Sequence, residues 1–596
     1  MRKIPLILLL LFIPSILWGA CGGSSPTLTA ASANYVDVKA CTDIATYGDT
    51  VNIPACAQDA CVWTNTLSLT KNIKLIGAGN AATYITNGFS AGDGEKHFIT
   101  FTATSDATTR ANLDSLEDTS TFEISGIHFY SASVMSYKYA ISIYNASLPI
   151  IRRVKIYDNA FTNFYMAVDT SGYVYGVMYN NTITNTRVWK GGGNDSVNDW
   201  TNMPMVPGSG DAFYIEDNTI SVNTSVGALT SGANSGGGQV FRYNTASGTM
   251  SGGTLNDTHS IAGGQRKGSQ MTEIYGNNFP VSGCGSGVAM RGGKARVFFN
   301  YMRSDNALQV WQEYRDGYST PPITVYPDAT PWAAMQQNYD CTGSGTPYGC
   351  CTGSHTGSCV TAQVCSSSAN NCYKVNHTYF WNNRRSDTNA IKSVTKGYDH
   401  WNRDLSIVSD PLELVQNREW WEQGASFDGT SGVGCGTLAT LQGAAYYTEC
   451  TAGVGYWATD QSCADLTGLV GANPATPISG TLYKCNATGD GWDSYYTLYD
   501  YPHPLRGESE TTHTVTVSKV GNGATLSADG DRVVYDGNQI NVVATRHNGW
   551  NGAWSGDCPL VSSCTVPVQG VSETCTVTPT GNCSMTYTAT EIKLLN

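Results

Sequence analysis

The apolar positions of this chain recur in short runs, not in helical stripes. From about residue 150 onward, Val, Ile, Phe and Tyr alternate with Thr, Ser and charged residues, and each run stops at an asparagine-containing turn. The turns are Tyr157-Asp158-Asn159, Tyr179-Asn180-Asn181, Glu216-Asp217-Asn218, Arg242-Tyr243-Asn244, Tyr275-Gly276-Asn277 and Phe298-Phe299-Asn300. A period of two over a few residues, closed by a turn signal, predicts a short strand. The six asparagines are 22, 37, 26, 33 and 23 residues apart. The shortest steps fit one coil of a stacked solenoid, and the longer ones fit coils carrying loop insertions.

Stacking gives these asparagines a structural task. A parallel coil has to turn sharply between sheets, asparagine tolerates left-handed backbone, and its amide can bond the asparagines above and below. Between Asp305 and Cys372 the repeat is broken by an insertion rich in Pro, Gly and Cys, placed at 316–372, and Val375 to Asn383 restores one more coil. From Trp420 to His503 the chain turns aromatic and Gly-rich, which predicts a cap over the open edge of the last coil across 420–507. Alternation with Gly turns in 512–596, around Trp554-Ser555-Gly556-Asp557-Cys558 and Ser563-Cys564-Thr565-Val566, predicts a separate small β-domain stapled by disulfides.

Near the start, Asp43-Ile44-Ala45-Thr46-Tyr47-Gly48-Asp49-Thr50-Val51-Asn52-Ile53-Pro54 is followed by Leu67 to Gly79, which ends Leu75-Ile76-Gly77-Ala78-Gly79. This stretch resembles the opening of pectate-lyase-like β-helices. The resemblance implies a short capping helix before the first strand and an all-β, right-handed parallel β-helix over 36–419. The ending, with Gly432-Val433-Gly434-Cys435 and Tyr499-Asp500-Tyr501-Pro502-His503-Pro504, is similar to exported β-helix proteins of environmental bacteria, so the resemblance spans roughly 36–507. The last module resembles a bacterial surface repeat associated with attachment or spacing. None of these resemblances brings a reaction with it.

Composition then narrows the partners. A net charge of −13 with no basic run leaves no electrostatic footprint for nucleic acid or an anionic membrane. Residues 1–20 read as a signal peptide, with Arg2 and Lys3 ahead of an apolar stretch. Leu17-Trp18-Gly19-Ala20-Cys21 resembles a bacterial lipoprotein signal, Trp18 departing from its pattern, and this implies lipidation at Cys21 followed by a Gly/Ser tether over 21–35. A lipid anchor would be the chain's only membrane attachment; ordinary secretion is the alternative. Of 19 cysteines, 18 would remain for disulfides in an oxidising compartment.

The polar cluster richest in chemistry runs from Asn256-Asp257-Thr258-His259 through Arg266 and Lys267 to Glu273. A lyase has to neutralise a uronate carboxylate, remove the neighbouring C5 proton and protonate the leaving oxygen. Arg266 or Lys267 suits the first task and His259 the second, with Glu273 in the same group and Arg242, Glu313 and Arg315 as substrate contacts. A hydrolase would draw on carboxylates among Asp211, Glu216, Asp217, Glu273, Glu313 and Asp316. Asp195 and Asp199 lie in a loop that offers oxygen ligands for calcium.

Two functions therefore stand side by side. In the first, an exported β-helix engages extracellular polysaccharide and cleaves it by β-elimination, with glycoside hydrolysis as its variant. In the second, the β-helix is a non-enzymatic adhesin or stalk. Paired outward positions for His259 and Arg266 favour the enzyme, and scattered or inward ones favour the adhesin.

Overall fold

The computed structural model describes residues 21–507 except 104–120, 135, 146–150, 173, 193–206, 235–237, 259–268, 304, 311–376 and 397–413, and the strands of a second unit between 512 and 591. The described residues between 21 and 422 form a parallel β-helix. Its three walls are a 13-stranded first sheet and two 10-stranded sheets. Each coil visits them in turn, as in Ile151–Tyr157, Ala160–Thr162 and Met166–Ser171, before the next coil starts at Val174–Tyr179. Successive strands pair in parallel, so the same side-chain position stacks coil upon coil.

The interior follows from that register. Leu75, Ile124, Ile156, Met178, Ile215, Phe241, Ile274, Val297 and Phe380 form one inward column of the first sheet and are all buried. The alternation seen in the sequence is thus the alternation of core and outer face.

The asparagine turns join the first sheet to the second and form a continuous ladder. The side-chain amide of each of Asn159, Asn181, Asn218, Asn244, Asn277 and Asn300 donates to the next asparagine's Oδ1 at 2.8–3.2 Å, ending on Asn383. The left-handed backbone falls one residue earlier than expected, on Asp158, Asn180, Asp217, Tyr243, Gly276, Phe299 and Asn382. The ladder asparagine needs its side chain turned inward, so its predecessor takes the bend. Asp, Asn and Gly accept positive φ readily; Tyr243 and Phe299 are bulky exceptions.

Two parts of the sequence reading need correction. The stretch read as a tether is folded: Cys21–Ser24 pairs antiparallel with Thr27–Ala30, which runs parallel to Thr50–Ile53 and starts the first sheet. Leu28 and Ala30 alternate into the core, which a solvated tether would not do. Cys21 is disulfide-bonded to Cys41 on the capping helix Tyr35–Ile44, so its sulfur is not available for an acyl thioether. The odd cysteine among the described residues is Cys284, buried in the core.

The second correction concerns 420–507. Trp420–Glu422 adds the last strand of the first sheet. The chain beyond it carries a four-stranded sheet and two disulfides, Cys435–Cys463 and Cys450–Cys485. It folds back along the outer face of the first sheet. Contacts from Thr245 to Ala472, from Tyr243 to Ile478 and from Asp217 to Asn473 and Tyr501 run over several coils. The aromatic residues are those of a lateral cover.

Residues 512–591 form a four-stranded and a three-stranded sheet, with Val517, Met585 and Tyr587 buried.

Candidate functional site

The outer face of the first sheet is where the cover lies, and there it meets two of the residues expected to act on substrate. One outward column reads Tyr157, Tyr179, Glu216, Arg242, Tyr275, Phe298 and Trp381. Arg242 is fully buried in it. Its Nε donates to Glu216 Oε2 at 2.7 Å, and its terminal nitrogens donate to the Tyr275 hydroxyl and to the Tyr499 and Asp500 carbonyls at 2.7–2.8 Å. Arg506 of the cover closes on Glu216 and Asp217 and stacks 4.5 Å over the Tyr179 ring.

Glu273, in the next outward column, is also fully buried. It accepts from Gly208 N at 2.7 Å and from the Tyr496 hydroxyl at 2.5 Å. Burial holds its carboxyl above the usual range. Neither Arg242 as a substrate contact nor Glu273 as a catalytic group can reach a polymer from these positions. The hydrolase carboxylates Glu216 and Asp217 belong to the same buried clamp, and Asp211 is held by Arg152 at 3.2 Å. Side-chain polarity was read as chemistry where it fastens the cover.

The remaining candidates follow third-sheet strands in the chain order. His259, Arg266 and Lys267 follow the third-sheet strand Thr254–Thr258; Glu313 and Arg315 follow Ala307–Val310; Asp195 and Asp199 follow Arg187–Gly192. All seven, and with them the hydrolase candidate Asp316, lie outside the described residues. Among the described residues no group of three His, Cys, Asp or Glu side chains could hold a metal.

A site that the sequence did not announce lies on the third sheet. Tyr137, 55% exposed, sits just before the strand Lys138–Asn145 with φ +58°, a left-handed backbone that a tyrosine rarely takes. Its ring stacks on Tyr165 at 5.3 Å, Tyr165 meets Tyr139 edge-on at 5.5 Å, and Tyr139 stacks on His97 at 4.9 Å. Arg187 lies 4.4 Å over the Tyr165 ring and donates to its hydroxyl at 3.0 Å. The strip thus crosses four consecutive coils.

At its far end the aromatic strip becomes titratable. His97 Nδ1 is hydrogen-bonded to the Ser142 hydroxyl, and its Nε2 is 3.3 Å from both the Tyr144 hydroxyl and Glu95 Oε1. Asp169 follows Ser142 in the same outward column, and Lys190 follows Asp169 with its ammonium 3.6 Å from the carboxylate. Burial lowers the pKa of His97 and so favours its neutral ring, against the pull of Glu95. Burial likewise raises the Asp169 carboxyl despite Lys190 and pushes the Tyr144 hydroxyl up to about 12. Glu95 and Lys190 remain about half exposed. The strip therefore offers aromatic faces, a neutral imidazole, hydroxyl donors and charges of both signs within one surface.

No protein-family model matches this chain, and no curated protein or solved structure is significantly similar to it.

Proposed function

We propose that the protein is an exported β-helix that engages extracellular polysaccharide through the third-sheet strip of Tyr137, Tyr165, Tyr139 and His97. The observation that carries this reading is the exposed Tyr137 ring stacked on the half-buried Tyr165 ring, with Tyr139 buried behind them and Arg187, Glu95 and Lys190 along the same strip. Tyrosine faces pack on the apolar side of a pyranose while nearby polar groups bond its hydroxyls, which is the usual division of labour in a small-molecule site. The leader-like residues 1–20 and the described disulfides support export into an oxidising compartment. Affinity electrophoresis or calorimetry of residues 21–596 against a panel of neutral, acidic and aminated polysaccharides tests it. Retention of at least one polymer, lost in Tyr137→Ala, supports the reading; no retention by any of them refutes it.

A second reading, cleavage by β-elimination at the same strip, is favoured by one arrangement. A neutral imidazole suited to accept the C5 proton contacts a protonated phenol suited to deliver one, and the Lys190 ammonium is near enough to offset a uronate carboxylate. Absorbance near 235 nm during incubation with uronate polymers separates the two: growth abolished in His97→Gln marks a lyase, and binding without growth leaves the adhesin.

A further inference from the structure

The inward side chains lining the corner between the third and first sheets change character part-way along the helix. On the first sheet this inward column reads Phe122, Val154, Gly176, Phe213, Gln239, Thr272 and Ala295. On the third sheet it reads Ile99, Ile141, Val168, Trp189, Thr230, Asn256, Val288 and Leu308. Apolar residues occupy both ends of both columns, and Gln239 and Asn256 fall in one and the same coil. Thr258 lies two residues beyond Asn256, aligned with the core residue Met290.

Gln239, Asn256 and Thr258 have no exposed surface, and Trp189 has 2%. Some of their polar atoms are satisfied locally: Thr230 donates to Asn256 Oδ1 at 2.9 Å, and Ser269 and Thr272 bond each other at 2.7 Å. Five are not. Gln239 Nε2 and Oε1, Asn256 Nδ2, Thr258 Oγ1 and Trp189 Nε1 have no hydrogen-bond partner among the described residues. Exchanging the two ends of the Gln239 amide would not help, because both are unpaired. A buried polar group without a partner costs about 1–3 kcal/mol, and native interiors rarely leave several together. An apolar pair, as at both ends of the two columns, would have avoided the cost altogether.

We propose that this coil encloses an internal solvent site, in which ordered water molecules bridge Gln239, Asn256 and Thr258 inside the β-helix. The chemistry of the unpaired atoms selects the occupant. Three of the five are N–H groups, so the guest has to accept hydrogen bonds, which a metal cation cannot do. Water both accepts from Gln239 Nε2 and Asn256 Nδ2 and donates to Gln239 Oε1. Buried waters typically make about three bonds each, so about two molecules would satisfy the set.

The test is a crystal structure of the full chain at a resolution that shows ordered solvent, together with thermal unfolding of Gln239→Met. Solvent peaks within hydrogen-bonding distance of both Gln239 amide atoms and of Asn256 Nδ2 are expected, as is a lowered unfolding midpoint in Q239M, because the variant deprives bound water of a partner. An amide bonded directly to protein groups, or a core without solvent there, overturns the proposal. So does a raised midpoint in Q239M, the response of a dry core relieved of an unpaired amide. The wild-type crystal decides alone if Q239M does not fold.

Discussion

Arg242 and Glu216 meet at 2.7 Å with neither side chain exposed, one coil apart on the face where a β-helix would be expected to present a groove. The pair does not stand alone, because the Arg242 guanidinium also holds two carbonyls of the cover, at Tyr499 and Asp500. The ionic chemistry of the first sheet is therefore committed to fastening 427–507 across it.

Removing one partner should expose that commitment. Arg242→Ala leaves Glu216 buried with only Arg506 as a cation and strands two cover carbonyls. A broken buried pair typically costs about 3–5 kcal/mol. Denaturant unfolding should show a loss of that order, with early proteolytic cleavage in 427–507. Unchanged stability and protection would mean that the cover is held by its aromatic contacts alone.

Acid should loosen the same clamp through His503. The ring is buried against Tyr214 and Tyr499, and burial lowers its pKa to about 3, so it stays neutral in the folded protein over a range where the unfolded chain is protonated. Between about pH 6.5 and pH 3 the unfolded state binds the extra proton, so this group's contribution to stability falls as the pH falls. The slope is about 1.4 kcal/mol per pH unit once below the unfolded value. Glu273, raised by burial, works in the opposite sense above the ordinary carboxylate pKa. The comparison that isolates His503 is therefore His503→Asn against wild type between pH 4 and 6. A flatter profile in the variant is expected, and parallel profiles would contradict it.

One rung of the ladder carries five hydrogen bonds. Asn218 accepts from the Asn181 backbone and side chain and donates to Asn244 and to the Met178 and Glu216 carbonyls. Asn218→Ala strands several of these groups in a dry interior, at about 1–3 kcal/mol per unsatisfied group. The expected result is a loss of about 4 kcal/mol or more in chemical unfolding; a loss near that of an exposed Asn→Ala change would show that the ladder is incidental.

The spacing of Asn159, Asn181, Asn218, Asn244, Asn277 and Asn300 carried the fold, because a ladder imposes its own residue type at every coil. The restored coil ending at Asn383 was also legible, and the structure makes Asn383 the acceptor that ends the ladder. The inward columns were equally legible, since burial writes a period of two, whereas the capping helix Tyr35–Ile44 was implied only by the resemblance of the opening stretch. The lateral course of 420–507 was not, because an aromatic, disulfide-bearing segment has the same composition at the end of a solenoid as along its side. Arg242 and Glu273 misled for a related reason: polar residues at strand positions look alike whether they face a substrate or a covering segment. The third-sheet strip escaped because Tyr137, Tyr165 and Arg187 lie in different coils and touch only through register. Aligning the third-sheet strands by their distance from the ladder asparagines would have brought Tyr139, Met166 and Arg187 into one column.

The central claim is that the third-sheet strip receives the glycan, and equilibrium binding by wild type and Tyr137→Ala to the best-retained polysaccharide tests it most directly. Losing the exposed Tyr137 ring should weaken affinity about tenfold, since a hot-spot aromatic contributes on the order of 1–2 kcal/mol, while the unfolding midpoint does not fall. Equal affinities in the two proteins, with the polysaccharide still bound, would contradict the account.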